Sequence, residues 1–572
     1  MTESERRYAH SEATRLLCAG VHLDTVFRAR VIDELIGHEE RPAAPSLGVD
    51  VVAVLAHALR ARRREALTGL GLLAIWIVFF LVEMVRAATS VSATSVTDSG
   101  VQGFAGLFGA VAVFFYAAVC FLLWSARAAS GWGTSMYAAS RDESARLRLP
   151  RRATAWGLTF MARAAEIGYW VYAFTQLLHD PFLVIFPLLL TFVIGAHRSQ
   201  VAAVMSVELS RDAFARTAVA LPMGSERQLR VARAVTWEQH ASVALYDAHR
   251  PFVGAGKPYE PWSFAMEITP AKKPFDGLNG KLPEQTGDSS ANGHRAPVQL
   301  TNRQILDLVV PKLEALRESA ARTSRDRLKD LEVEEFVYLP YGVGRHQGVY
   351  EPASARLHLD GAVDEGGEAR RHFLRIRVGA WDEQVVVSVL VRVHTQGGML
   401  VLEVVPHVLG PIFEEYRRVD FIAASEEGAT AREVLRTVLS APATGVLAGF
   451  SMVRTLVQCL RTWLARPEQA PPDAPLVSVR EMGSTDRLSL FQEMDVSRYI
   501  KTVEDRIASG VREALRRSGC ETGSFEQNIF NVAAGGQFIG QMSGGTAVGR
   551  ISKSAVSMGS GGASYNEGSR DD

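Results

Sequence analysis

The nearest approach to a phosphate-binding motif is residues 249–257, His-Arg-Pro-Phe-Val-Gly-Ala-Gly-Lys. A Walker A loop needs Gly, four residues, then Gly-Lys and Ser or Thr, because backbone N–H groups cradle the phosphates and the hydroxyl ligates Mg²⁺. With Gly256 and Lys257 as the Gly-Lys pair, the first glycine falls on Pro251 and the hydroxyl on Pro258, so two required positions fail. The three-glycine dinucleotide fingerprint and its strand–helix setting are missing too. Gly254 and Gly256 read instead as a tight turn that lets Phe252 and Trp262 pack. A second pair, Arg163 and Glu166, lies three residues apart, on one helix face. Inside an apolar stretch it reads as an ion pair; the sharper alternative is a proton or ion relay. The Gly-rich segment 341–346 and Glu351 offer backbone N–H groups to a ligand, but the pattern is that of a strand-to-strand loop. There is no His-Glu-x-x-His, no Gly-x-Ser-x-Gly elbow and no metal-ligand spacing, and Cys18, Cys120, Cys459 and Cys520 are scattered. No catalytic residue, cofactor or metal is therefore assigned.

The elements that would position these residues are unevenly distributed. The chain has 572 residues, 62 basic against 62 acidic, and 47% hydrophobic residues. Zero net charge argues against a nucleic-acid binder, and the apolar fraction against a disordered chain. A mean hydropathy of +0.05 is an average over unlike parts. Residues 66–82 and 101–126 carry no charge, and 153–196 is apolar apart from Arg163, Glu166 and a polar break at His179-Asp180-Pro181. A bilayer crossing needs about 20 apolar residues, so the pattern predicts four spans in two hairpins, with Pro187 kinking the last. Arg60, Arg62, Arg63 and Arg64 precede the first span, a basic loop lies between spans two and three, and His197 and Arg198 follow the fourth. The loop 87–100 and the turn at 179–180 lack basic residues. Basic flanks mark the cytoplasmic side, so both termini are expected there. Polar opening residues give no sign of a cleaved leader.

The fold class expected is an α-helical membrane unit of four spans plus an α+β cytoplasmic domain. The segments are 1–64, a cytoplasmic helical unit; 65–198, the spans; 199–300, a connector with the Gly turn and a flexible loop at 272–297; 301–466, the α+β domain; 467–527, a Pro-rich linker and a helix; and 528–572, a Gly-rich tail that either stacks or stays flexible. Residues 21–36 have helical periodicity. Runs 384–394 and 399–405 flank Gly397-Gly398 and predict a hairpin. Helix 444–464 carries Arg454 and Arg461, which disfavour a fifth span, and reads as a core helix of the cytoplasmic domain, or as one lying on the membrane surface.

Arg250-Pro251-Phe252-Val253-Gly254-Ala255-Gly256, together with Trp262-Ser263-Phe264-Ala265, resembles uncharacterised multi-pass membrane proteins of high-GC actinobacteria. That resemblance implies a membrane protein and carries over no catalytic residue. The function expected is a membrane-anchored interaction or regulatory platform. Its partners would be the lipid bilayer, a cytoplasmic protein and a further copy of the chain, with no nucleic acid. The alternatives are an oligomeric transporter or channel lined by Arg163, Glu166, Thr159, Tyr169 and Gln176, or a membrane enzyme with an unrecognised site.

Overall fold

The computed structural model describes residues 7–93, 102–129, 149–216, 225–247, 249–271, 300–323, 326–341, 347–365, 367, 369–425, 442–443, 445–446, 449, 453–457, 460–461 and 473–533. The expectations for the basic loop at 130–148, the flexible loop at 272–297, the Gly-rich segment 342–346, the linker at 467–472 and the tail beyond 533 lie outside the described residues.

The N-terminal unit begins with α1 (Glu12–Leu23) and α2 (Thr25–Ile32), the latter running on into a π-turn at Asp33–Gly37. The periodicity of 21–36 suggested one helix, but Asp24 breaks it. Its backbone N–H closes α1 on Gly20 O, and its carboxylate accepts from Val26 and Phe27 N–H at 2.8 and 3.2 Å, capping α2. Then comes α3 (Val51–Ala93), 43 residues or about 65 Å long. Its first turns are buried among Leu16, Leu17, Phe27 and Val31, in a core that also takes in Val201, Met205, Tyr416, Val419 and Val479. Beyond that core the same helix becomes apolar on its exposed sides, at Leu67, Leu70, Ile77 and Leu81.

Three helices follow: α4 (Gln102–Ala129), α5 (Leu149–Thr175) and α6 (Phe182–Val207). By length and composition α3, α4 and α6 contain segments able to cross a bilayer. The helices α3, α4 and α5 pack side by side, α6 runs back along α3, and α5 shares few contacts with α6. Ion pairs fasten both ends of α3: Arg60 to Glu208 at one, Arg86 to Asp180 at the other. Pro187 lies inside α6 and has no N–H to give Leu183 O. The buried Tyr169 hydroxyl of α5 donates to that carbonyl instead, at 2.7 Å.

After α7 (Glu226–Gln239) the chain forms a seven-stranded sheet with β1 (Val243–Tyr246), β2 (Lys257–Pro258), β3 (Trp262–Glu267), β4 (Glu332–Pro340), β5 (Arg371–Ala380), β6 (Val385–Gln396) and β7 (Met399–Leu409). Strand order is β1-β4-β5-β6-β7, with β2 and β3 both on β7; only β1–β4 is parallel. The β6–β7 hairpin turns on Gly397 and Gly398, both at positive φ, the conformation a two-residue turn of type I′ requires. Val385, Val387, Val389 and Val391 share one face with Leu402 and Val404, covered by α8 (Asn302–Thr323) and α11 (Leu490–Arg517). The sheet unit thus draws strands and a helix from both sides of 301–466. On the chain between lie α9 (Pro352–Ala362) and α10 (Arg418–Ser425); α12 (Gly523–Ala533) follows α11. Of the helix expected at 444–464 as a core helix of the cytoplasmic domain, residues 445, 446, 449, 453–457, 460 and 461 are described, and its beginning lies against the spans: Ala443 is buried with Leu190 and Ile194 of α6, and Val446 packs on the same cluster. Gly445 lies beside Ile194, where a Cβ would make an ordinary contact at 3.8 Å.

Candidate functional site

The Gly turn is built around a carboxylate from the chain itself. Gly254 and Gly256 N–H both donate to Glu481 Oε1, at 2.9 and 3.2 Å. Glu481 Oε2 accepts from Ser478 N–H at 3.0 Å, and Ser478 Oγ accepts from Glu481 N–H, closing a capping box on the short helix Val479–Met482. Concave backbone of this kind binds anions, and here the anion is internal. Both glycines have φ of 92°. A Cβ on Gly254 would lie 2.0 Å from Pro45 O, and one on Gly256 2.3 Å from Val408 O. Phe252 is enclosed edge-on by Tyr338, Phe373 and His407, with ring centroids 5.1–5.4 Å away. Trp262 stacks on Phe264, and its Nε1–H donates to Glu504 at 2.8 Å. Burial pushes the Glu504 carboxyl above its usual range, although that bond works against the shift.

Beside this turn lies a buried ionic junction between the N-terminal unit and the sheet. Arg377 of β5 is 1% exposed and pairs with Glu332 at 2.6 Å and with Glu383. Tyr8 OH donates to Glu332 at 2.5 Å, its ring lies under the Arg377 guanidinium, and Arg7 pairs with Glu332. Burial raises the Glu332 carboxyl, but Arg377, Tyr8 and Arg7 more than offset it and leave it below the usual range. Trp381, Asp382 and Glu383 hold positive φ on three consecutive non-glycine residues, a conformation costing about 1–2 kcal/mol each. Asp382 pairs with Arg327, and Glu383 with Arg377 and, at 3.5 Å, with Arg7; these ion pairs hold that turn. Arg480, fully buried, donates to Gln384 O at 2.6 Å and Gly410 O at 3.0 Å, and also to Ser484. Sequence reasoning did not single out these arginines. The Ser478-x-x-Glu481 spacing was the signal available for the Glu481 cap.

Arg163 and Glu166 form their expected contact, Nη1 to Oε2 at 2.5 Å. They line a groove of about 800 Å³ with Ile167, Trp170, Val171, Phe174 and Thr191. Tyr116, Thr191 and Pro442 also border a second hollow of about 250 Å³ between α3, α4, α6 and residues 442–449. Of the residues a polar path would need, Thr159 and Tyr169 donate to backbone carbonyls of Ala155 and Leu183, and Gln176 lies in the turn after α5. The structure brings Phe252, Gly254 and Gly256 together with Glu481; Trp262 stands on β3, which pairs with β7 as β2 does, and the Arg163–Glu166 pair belongs to the helical unit. Among the described residues no group of three or more His, Cys, Asp or Glu side chains is placed to hold a metal ion.

A helical unit with three bilayer-length helices and a mixed α/β domain around a single sheet define the class of protein. Residues 261–547 match the AbeC-like domain model, and the chain belongs to that family. The match starts at the edge strand carrying Trp262 and takes in β3 to β7, residues 442–449 and α11, but not β1, β2, the Gly turn or helices α3 to α6. Comparisons with curated proteins and with solved structures found no match.

Proposed function

We propose that the chain is a four-pass membrane protein whose α/β domain is a regulatory or interaction platform on the cytoplasmic face. The observation that carries this reading is α3, one unbroken helix whose first turns belong to a core shared with Ile412, Tyr416 and Val479 and whose later turns pack in the helical bundle with apolar residues such as Leu67, Leu70, Ile77 and Leu81 exposed. Displacement of the span is then transmitted to the platform without a flexible linker. The fourth crossing rests on parity. The start of α3 and the end of α6 share one core, so the far ends of α3 and α6 lie together, as the Arg86–Asp180 pair requires. The chain returns along α4 and must cross again through α5 to reach the start of α6. Arg60, Arg62, Arg63, Arg64 and Arg198 gather at the end nearest the platform, which makes that side cytoplasmic.

Transport is the competing reading, and the hydroxyls of Thr159 and Tyr169, turned onto carbonyls, speak against a polar path. The test is ion and proton flux into liposomes holding the full chain. The platform reading expects the flux of empty liposomes. A flux that disappears in the Arg163→Leu, Glu166→Leu double variant would overturn it in favour of transport.

A further inference from the structure

The part of α3 nearest the platform carries a polar stripe. His57, Arg60, Arg64 and Thr68 follow one another at three- and four-residue steps and so share a helix face. Three of these side chains have partners. His57 Nδ1 meets Nε2 of the buried His22 of α1 at 3.3 Å, Arg60 pairs with Glu208, and Thr68 Oγ1 shares a hydrogen bond with His197 Nδ1 of α6 at 3.0 Å. Arg64 is the exception: the residue is half-buried, and its Nη1 is buried with no hydrogen-bond partner. Among the described residues it is the one terminal guanidinium nitrogen left in that state. His22 Nδ1, on the same junction, is buried and unpartnered as well.

A guanidinium keeps its charge in a protein, and a buried N–H on it without an acceptor is costly. The acids nearest in the chain and across the junction are already engaged, Glu65 by Arg28 of α2 and Glu208 by Arg60. Arg64 stands close enough to act on His22, and burial together with His57, Arg28, Arg64 and Arg60 holds that imidazole well below its ordinary value. A neutral imidazole has one N–H. With Nε2 accepting from His57 Nδ1–H, the hydrogen of His22 stands on Nδ1 and is a second donor beside Arg64. Two buried donors, one of them a guanidinium, call for an anion with several acceptor oxygens, the match arginine makes with phosphate. Arg64 also lies two positions before the uncharged stretch 66–82, the depth of the lipid phosphates when α3 crosses the bilayer. We propose that Arg64 and His22 bind a phosphate group at the platform end of α3, its oxygens accepting from Arg64 Nη1–H and His22 Nδ1–H. Two sources share the chemistry: the headgroup of an anionic phospholipid and a soluble phosphate. The lipid source alone rests on α3 lying in the bilayer, as proposed above.

The experiment uses the full chain and two phosphate probes. In a neutral detergent, inorganic phosphate is titrated against the melting temperature, with chloride holding the ionic strength constant. The melting temperature is expected to rise along a saturable curve. Arg64→Gln and His22→Phe should each weaken the midpoint of that curve at least about tenfold, the factor one hydrogen bond to a charged group sustains. Arg63→Gln, at the exposed neighbouring position, should leave it in place. Native mass spectrometry of the chain released from nanodiscs then compares phosphatidic acid with a diacylglycerol of the same acyl chains. Phosphatidic acid retained over the diacylglycerol by the unaltered chain, and lost in Arg64→Gln, identifies the lipid headgroup. Saturable inorganic phosphate without that retention identifies a soluble phosphate. Neither response, a response that Arg64→Gln or His22→Phe leaves unchanged, or one that Arg63→Gln weakens as far as Arg64→Gln does, overturns the proposal. If either variant does not fold, Arg64→Lys, which keeps the charge and loses the fork, decides by the same weakening. Failure of the four-pass reading has a different signature: a photoactivated apolar aryl probe in the nanodisc would miss the exposed Ile77 and Leu81 of α3, while the phosphate titration in detergent would stand.

Discussion

Replacing Glu481 should release the Gly turn, and the size of the effect follows from its bonds. The carboxylate accepts three backbone N–H groups, from Gly254, Gly256 and Ser478, at 2.9, 3.2 and 3.0 Å. Ser478 is 1% exposed, and Pro45 presses on Gly254, so neither N–H finds water when the acceptor goes. A buried donor left unsatisfied costs about 1–3 kcal/mol. Two such donors and one half-buried donor put Glu481→Ala at about 4 kcal/mol of local stability. Glu481→Gln keeps one carbonyl oxygen for the two glycines but sets an NH₂ against Ser478 N–H, and should cost about half as much. Hydrogen exchange of the 249–258 segment in the full chain reads this directly. Exchange should accelerate about a thousandfold in Glu481→Ala and about thirtyfold in Glu481→Gln. A change of less than about threefold in Glu481→Ala would mean that the turn is held by its aromatic contacts alone, and would refute the reasoning.

The remaining predictions are shorter. Gly254→Ala should destabilise by at least about 3 kcal/mol, since its Cβ would collide with Pro45 O at 2.0 Å at a φ of 92°. Gly519→Ala, at a φ of 69° with open space around it, should cost only about 1 kcal/mol, with thermal melts of the full chain measuring both variants. Glu335 is held down to about 2 by its hydrogen bond to His372 and by Arg303. A depressed carboxyl stabilises the fold above its unfolded value near 4.5 and loses that contribution as pH falls toward 2. Glu335→Gln should therefore lower the melting temperature at pH 7 but converge with the parent in acid. It is a half-buried pair worth about 1 kcal/mol. Tyr169→Phe should destabilise the detergent-solubilised chain by about 1–2 kcal/mol, because it orphans Leu183 O. In a Pro187→Ala background the helix supplies its own N–H to that carbonyl, and the cost of Tyr169→Phe should shrink; an undiminished cost would dissociate the two residues.

Much of the architecture was legible because hydrophobic runs and turn chemistry are local. The apolar stretches lie on α3, α4, α5 and α6, and Gly397-Gly398 announced the β6–β7 hairpin. Asp24 was also legible in principle, since an aspartate inside a helical pattern is a ready cap, but the apolar periodicity across it was stronger. What sequence reasoning missed depends on distant partners. Residues 442–449 look like any amphipathic core helix until Ala443 and Val446 are found in the cluster around Leu190 and Ile194. Arg377 and Arg480 are ordinary charges until the fold buries them. Tyr169 resembled a polar path residue, and only Pro187, 18 positions later in the chain, explains its hydroxyl. The Gly turn was readable as a turn and not as a phosphate loop, yet the carboxylate inside it comes from more than 200 residues away.

The central claim, a platform fixed to one face of a four-pass anchor, is tested most directly by the accessibility of two exposed side chains. Leu178, 95% exposed in the α5–α6 turn, and Phe491, 70% exposed on α11, are each replaced by cysteine. Intact cells are then treated with a membrane-impermeant maleimide, with the unaltered chain as the control for its own cysteines. The account predicts labelling at position 178 in intact cells and at position 491 only after permeabilisation. Labelling of 491 in intact cells, or protection of 178 until the cells are opened, would contradict it.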